Sequence, residues 1–592
     1  MNHTPVKAGP KGGHLRRSLV AIGVVAVCIA LAACGSSSAS SSSGGGGASA
    51  PGSSSTGAAS TATNLGANFA PANVSGPAFN AADGPKAEGT PQRGGTIYYG
   101  GEQEPPCLGS VQWVQTDYLA RQFLDSLVSE DYSGKIIPWL AASWKVSNNG
   151  LTYTFQIKQG VKFTDGTPLN AQAVAANFAY WYSPKTLNAS NAGEFPFYKS
   201  GKAIGEYTFQ LNLTQGFSPL LQTLAQAYFG IESPTSLKRT PAQICEKPVG
   251  TGAWVVQQWN HGQNVVLVRN PNYNSPPANA LNKGPAYADK LVWSFITDPT
   301  TRYGSLTSGK SDAIYDVPTN EWQAAKSQGY QLLAYFEGGK PITFNLNTAA
   351  GPFKDELVRQ AFAYGTDRKA AVESAFSGVV PYAGNGAVSP ATPDYAASLA
   401  NAYPYDPAKA NALLDQAGWS KKNSAGIRVK DGKELTIRFV YASGAVVTEE
   451  GVTALQDIQQ QAKAIGFNIV LEPITLSDLF SGTYSAPSKF DAQVQYFTHS
   501  SPGEIYTGST AFNSTFYKPP TLLKAVKEAA ASNNPATQEA DWGKAQQLFV
   551  NNAALVGLWL QPALIAVKSN LKQLWLEPSQ GAPVFSDAYL AH

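Results

Sequence analysis

The chain has 592 residues, 43% of them hydrophobic, 11% aromatic and only 14% charged. That length and composition fill several cores and exclude a largely disordered protein. Forty-three basic residues against 40 acidic ones leave a formal charge of +3, which gives no long-range field for nucleic acid. Of five histidines, only His261 and His499 lie away from the ends, so a histidine-rich metal site is excluded and no cofactor is expected.

Lys7, Lys11, Arg16 and Arg17 precede an apolar run from Leu19 to Ala30. The run is too short to span a bilayer and suits the hydrophobic region of a signal peptide. It ends in Leu31-Ala-Ala-Cys34-Gly35, which resembles a bacterial lipobox. Residues 1–33 are therefore expected to be a removable lipoprotein signal and Cys34 the lipidated residue. An ordinary secretory signal with an incidental cysteine is the alternative, and Arg16-Arg17 leaves Sec or Tat export open. Residues 34–92 are rich in Ser, Gly, Ala and Thr. They cannot bury a core and read as a flexible tether. A multiply acylated cysteine on such a leash implies a folded body at the extracytoplasmic face of the cell membrane. Cys28 falls within the signal. Cys107 and Cys245 remain, as a disulfide or as two buried thiols.

The body alternates strands and helices. Gly95–Tyr99 is β-rich, and Tyr118–Val128 has helical apolar spacing. Leu151–Lys158 alternates as a half-buried strand does, and a helix follows with Asn170 as its N-cap. Two alternating runs flank the turn at His261-Gly262, then come a strand at 291–296, a helix at 298–306 and a strand at Ala313–Tyr315. Beyond Gly338-Gly339 a second series begins: a strand at Ile342–Asn347, helices at 356–364 and 407–417, and a strand at 435–441. A helix at 450–465 and a strand at 468–472 complete it. The fold class is α/β.

Sequences for a nucleophile elbow, a His-Glu-x-x-His zinc helix or a Cys-x-x-Cys pair are absent, so the chain does not read as an enzyme. Gly304-Ser-Leu-Thr-Ser-Gly309-Lys310-Ser311 matches the phosphate-loop pattern. That loop needs a strand before it and a helix beginning at its lysine. Here a helix precedes it and Pro318 follows, so it reads as a helix-to-strand turn.

Several short motifs then occur in a fixed order: Pro138-Trp-Leu-Ala-Ala-Ser-Trp144, Val161-Lys-Phe-Thr-Asp-Gly-Thr-Pro168, Pro248-Val-Gly-Thr-Gly-Ala253, Arg269-Asn-Pro-Asn-Tyr273, Phe344-Asn-Leu-Asn347 and Tyr405-Asp-Pro-Ala408. Together they resemble the oligopeptide/dipeptide-type substrate-binding proteins of ABC importers, solute-binding protein family 5, over about residues 93–575. The resemblance implies a two-lobed periplasmic-binding-protein-like clamshell with an extra inserted domain. Lobe I would comprise 93–131, 245–338 and 556–592, the insert 132–244 and lobe II 339–555, with a hinge crossing at Gly338-Gly339. Cys107 and Cys245 would share lobe I, which favours their pairing. It further implies a monomer that takes a peptide or other small polar solute and hands it to a permease with its ATPases. A sensor or chaperone on the same fold is the alternative.

By the same resemblance, the cleft residues are Trp113, Tyr315, Asp316, Asn345, Tyr496, Phe497, His499 and Ser500. Peptide binders hold the ligand's amino terminus with a lobe II aspartate, and Ser500 stands at that place here. An unpaired buried ammonium is costly. The expected ligand is therefore polar and weakly charged, held by stacking and hydrogen bonds. Asp316 or Glu504 is the alternative amine partner, and either would restore ordinary peptides.

Overall fold

The computed structural model describes residues 85–591 except 110–117, 133, 148, 184–190, 192–194, 337, 393, 445, 476–477, 480–481, 499–513, 533–534 and 561. The three largest of six sheets organise them. The first has seven strands, in the order Gln331–Phe336, Pro562–Val567, Ala313–Ile314, Thr96–Gly101, Lys290–Phe295, Asn264–Arg269 and Trp254–Asn260. Its middle strand, Thr96–Gly101, runs parallel to both neighbours, so three strands end side by side at Gly101, Ile314 and Phe295. The second sheet has five strands, in the order Asn468–Ile474, Thr436–Ala442, Ala492–Thr498, Gly339–Leu346 and Leu555–Trp559. The third is a four-stranded antiparallel sheet between Ala141 and Leu213.

Alternation in the sequence becomes one-sided burial where a sheet has one wet face. In Thr208–Leu213 every second residue is buried. Gly339–Leu346 is buried along its whole length. Ile342, Phe344 and Leu346 enter a large apolar core. Thr343 and Asn345 point to the opposite face, where Asn345 joins a polar ladder with Gln495 and Ser514.

The chain passes between the seven- and five-stranded sheets twice, between Phe336 and Gly339 and between Trp559 and Pro562. These two crossings form the junction of the two lobes. Gly339 has φ +94, a conformation that costs a residue with a Cβ, and its N–H donates to Thr392 Oγ1 at 2.6 Å. Cys107 and Cys245 are joined by a disulfide, with Cα atoms 4.5 Å apart. His261 sits beside it between Glu104 and Glu246, at 3.1 and 3.2 Å.

The helix at 298–306 forms as Pro299–Thr307, capped by the Asp298 side chain on Thr301 N–H. Gly309 follows at φ +78 and Lys310 is exposed, so the phosphate-loop match is a helix C-terminus leading to a strand. The helix expected over 118–128 does not form at that length. Helical hydrogen bonding ends with Leu124 N–H on Ala120 O, and Val128–Glu130 is a strand. The carbonyls needed to continue the helix are taken by distant N–H groups: Trp254 on Gln122, Gly252 on Phe123 and Ile231 on Asp125. The approach is so close that a Cβ on Gly252 would lie 2.5 Å from Phe123 C. Tertiary pairing outcompetes the apolar period here.

Candidate functional site

The carboxyl ends of adjacent parallel strands are where open α/β sheets place their ligands. In the seven-stranded sheet, three such ends bring together Glu102, the Ile296-Thr297 pair and Tyr315-Asp316. Arg302, on the helix after one of these strands, ties them. Its Nε donates to Tyr315 O at 2.6 Å. One terminal nitrogen donates to Ile296 O and Thr297 O at 2.6 and 3.2 Å. The other donates to Asp316 O and Asp316 Oδ2 at 3.1 and 3.0 Å. A guanidinium has five N–H donors, and all five are used. Arg302 is 1% exposed and acts as an internal brace.

Asp316 adopts φ +51, in the left-handed region that aspartate tolerates better than most residues. Burial raises its pKa, the Arg302 charge opposes that, and Glu450 pushes it up again. Glu450 lies in the other lobe, in the first turn of the helix Glu449–Ala464, and accepts a 3.5 Å hydrogen bond from Thr319 Oγ1 of lobe I. The seam between lobes is therefore lined with carboxylates. Glu102 is half-buried, and its pKa is pushed up to about 8 by burial first and the Asp316 charge second, with Arg302 opposing. Tyr99, three residues before Glu102 on the strand that leads to it, packs on Trp293 and Phe585 and is fully buried. Its hydroxyl is driven strongly upward by burial and feels Arg302, Asp316 and Glu102.

Lobe II contributes a different surface. Lys340, one residue past the crossing glycine, is 2% exposed. Its Nζ lies 3.3 Å from Asn345 Oδ1 and 4.6 Å from the centroid of the Phe497 ring. Lys340 pairs with Phe497 across the strands. Burial lowers its pKa to about 7.

The structure gathers some of the expected residues and separates others. Asp316 and Tyr315 share the lobe I corner, but Tyr315 is 6% exposed and packs edge-on against Tyr118 at 5.8 Å. Asn345 is fully buried, with three hydrogen bonds inside lobe II: to Lys340, Gln495 and Ser514. Tyr496 and Phe497 are successive residues of one strand, so they face opposite sides of the sheet. Tyr496 packs on the apolar core, while Phe497 carries Lys340. Trp113, His499, Ser500, Glu504 and Cys34 lie outside the described residues. Sequence reasoning missed Tyr99, Glu102, Lys340 and Glu450. The signal for Glu102 was its place directly after the Gly100-Gly101 end of the first strand. Nothing short of the fold marks Lys340 or Glu450.

Residues 135–520 match the profile of the bacterial extracellular solute-binding proteins, family 5 (middle). The chain belongs to that family, the receptor subunits of ABC importers. It is 27% identical over 489 residues to the glutathione-binding protein GsiB of Escherichia coli (strain K12), covering 80% of this chain and 90% of that protein. Its fold matches the oligopeptide-binding protein AppA from Bacillus subtilis, solved with a nonapeptide, at a TM-score of 0.72 and 23% identity, covering 85% of this chain and 100% of AppA. NikA from Brucella suis, solved with Fe(III)-EDTA, gives 0.71 at 21% identity over 84% of this chain and 100% of NikA. DppA from Helicobacter pylori, solved with the peptide STSA, gives 0.69 at 21% identity, covering 85% of this chain and 99% of DppA. These relatives are binding proteins. Among the described residues, no helix is long and apolar enough to cross a membrane.

Proposed function

We propose that the chain is a lipid-anchored receptor that captures a peptide or other small polar solute between its lobes and presents it to an ABC permease, without chemistry of its own. The observation that supports this most is the polar seam where Thr319 of lobe I donates to Glu450 of lobe II at 3.5 Å and Asp316 feels the Glu450 charge. A clamshell closes on a ligand through groups that converge only when shut, and a few polar groups within an apolar wall fix a small solute. The lobe boundaries expected from the sequence, with the insert at 132–244, complete this reading.

Native mass spectrometry of full-length protein from its own host should show a retained small solute. Deleting the gene should abolish import of that solute. Undiminished import, with loss of a solute-dependent response, would transfer the protein to the sensor class. A protein that never retains a solute, and whose loss leaves import intact, would refute capture.

A further inference from the structure

We infer that Gly216-Phe217-Ser218 and the last turn of the helix Pro520–Ala531 form a clasp between the two lobes, which must part before a solute enters or leaves. This inference rests on the capture reading above and adds the contact that controls exchange.

Three observations support it. The first is that the two sides belong to different cores. Phe217 is 2% exposed and packs on Phe195 and Phe197, inside the core of the four-stranded sheet. Leu522, Val526, Ala529 and Ala530 pack instead with Trp542, Phe549 and Leu555, and Leu555 begins a strand of the five-stranded sheet. The two cores meet through the backbone, where Ser218 N–H donates to Ala530 O at 2.9 Å.

The second is anchorage. The helix Leu220–Ala225 begins just after Ser218. At its far end Arg121 donates to Ala225 O at 2.6 Å, and Ala227 N–H donates to Gln580 Oε1 at 2.7 Å. The stretch that carries Gln580 is held in turn by Tyr335, whose hydroxyl donates to Pro578 O at 3.1 Å. Tyr335 lies in Gln331–Phe336 of the seven-stranded sheet. Ser218 therefore moves with the seven-stranded sheet and Ala530 with the five-stranded one. Two chain crossings allow the lobes to turn about each other, and a third tie restrains that turn for as long as it holds.

The third is that the contact is close yet easily broken. A Cβ on Gly216 would lie 3.2 Å from Ala531 Cα, so the approach depends on glycine there. The last carbonyls of a helix have no partner within it. Here Ser532 N–H takes Ala529 O at 3.2 Å and Ser218 N–H takes Ala530 O. Ala531 is exposed and Ser218 half-buried, so water can replace both partners when the clasp parts. One backbone hydrogen bond shifts an equilibrium by about fivefold, enough to favour closure without preventing opening.

A crosslink tests the clasp. A Cβ on Gly216 would lie 3.6 Å from Ala531 Cβ, within the roughly 3.5–4.5 Å that separates the β-carbons of a disulfide. Full-length protein carrying Gly216→Cys and Ala531→Cys is compared in its oxidised and reduced forms in detergent. Unsubstituted protein under the same reductant controls for the Cys107–Cys245 bond. Oxidation should form the new bond and contract the radius of gyration relative to the reduced form. It should also slow uptake and release of labelled glutathione and trialanine by about tenfold or more, because exchange scales with the open fraction. Reduction should reverse all three effects. Gly216→Val should act in the other direction and release the probes about fivefold faster.

Failure of the new bond to form, or scattering identical in the oxidised and reduced forms, overturns the clasp and leaves capture standing. Contraction without slower exchange of the probes overturns its control of the solute. If neither probe binds the unsubstituted protein, scattering decides the clasp, and the solute that co-purifies from the host decides control. Slower release of that solute on oxidation supports control, and equal release overturns it. No retained solute at all overturns capture itself, and with it any control of exchange.

Discussion

Replacing Lys340 by methionine should stabilise the protein at neutral pH, and the gain should shrink as pH rises. Lys340 is 2% exposed, and burial lowers its pKa from 10.5 to about 7. The folded value lies below the unfolded one, so between those values the unfolded chain binds the extra proton. Stability therefore rises with pH across that window, at about 1.4 kcal/mol per pH unit. The penalty is complete below pH 7 and relieved near pH 10.5. At pH 7 it amounts to about 4 kcal/mol. Methionine fills much the same volume without the charge. It forfeits the 3.3 Å bond to Asn345 Oδ1 and the cation–π contact with Phe497, each about 1 kcal/mol. Those two losses alone leave at most about 2 kcal/mol of gain at pH 7. Three apolar cores need not unfold together, so the readout is hydrogen exchange of the amides in Gly339–Leu346 rather than a global melt. Protection should be higher in the variant at pH 7 and equal or lower at pH 9.5. A difference that does not change with pH, or a variant less protected at every pH, would show that contacts to the ammonium outweigh its burial and would refute the reasoning.

Glu130 works in the opposite sense. Burial first, then the charges of Glu577 and Asp131, push its pKa from 4.5 up to about 8. The folded state therefore keeps a proton that the unfolded state loses, and stability should fall as pH rises from 4.5 to 8. Glu130→Gln should lessen the loss of amide protection in Val128–Glu130 across that range, and an unchanged loss would contradict the assignment. The stretch before the helix Leu220–Ala225 touches the helix Pro520–Ala531 where Ser218 N–H donates to Ala530 O at 2.9 Å, and a Cβ on Gly216 would lie 3.2 Å from Ala531 Cα. Gly216→Val should wedge that contact open, seen as faster exchange in 524–531 and a larger radius of gyration; identical scattering would deny the contact a role in closure. Cys34→Ala should move the protein from the membrane fraction to the soluble fraction, and persistence in membranes would sink the lipid anchor.

Much of the fold was legible because its signals are local. Asn170 caps the helix it was expected to cap, the helix read over 298–306 forms as Pro299–Thr307, and the 356–364 helix forms at those bounds behind an Asp355 cap. The alternating strands around His261-Gly262 pair as a hairpin. Where the reading failed, the competing force was long-range. The 118–128 helix is cut short because Gly252, Trp254 and Ile231, over a hundred residues away, claim its carbonyls. The site was harder still. Asp316 was visible through its place in a motif, but its partner Glu102 lies 214 positions earlier, and only a parallel pairing of two strands brings them together. The Tyr496-Phe497 pair looked like one aromatic wall. The two-residue period of a strand sends one ring into the core and the other beneath Lys340.

A perturbed carboxylate alone does not mark a binding site, and this molecule shows why. Asp125 is raised to about 6 and is fully buried, yet one of its oxygens accepts bonds from Thr251 and Ser275, both at 2.8 Å. It is part of a network that the fold completes by itself, and its shift reflects burial that the fold has already compensated. Glu102 is raised to about 8 in a corner where the described residues supply no donor to it. Burial there favours the protonated carboxyl, and only the Arg302 charge opposes it. What separates the two acids is therefore not the size of the shift but whether the folded chain alone can satisfy the group. By that criterion Asp125 belongs to the scaffold, whereas Glu102 is not satisfied by the described residues.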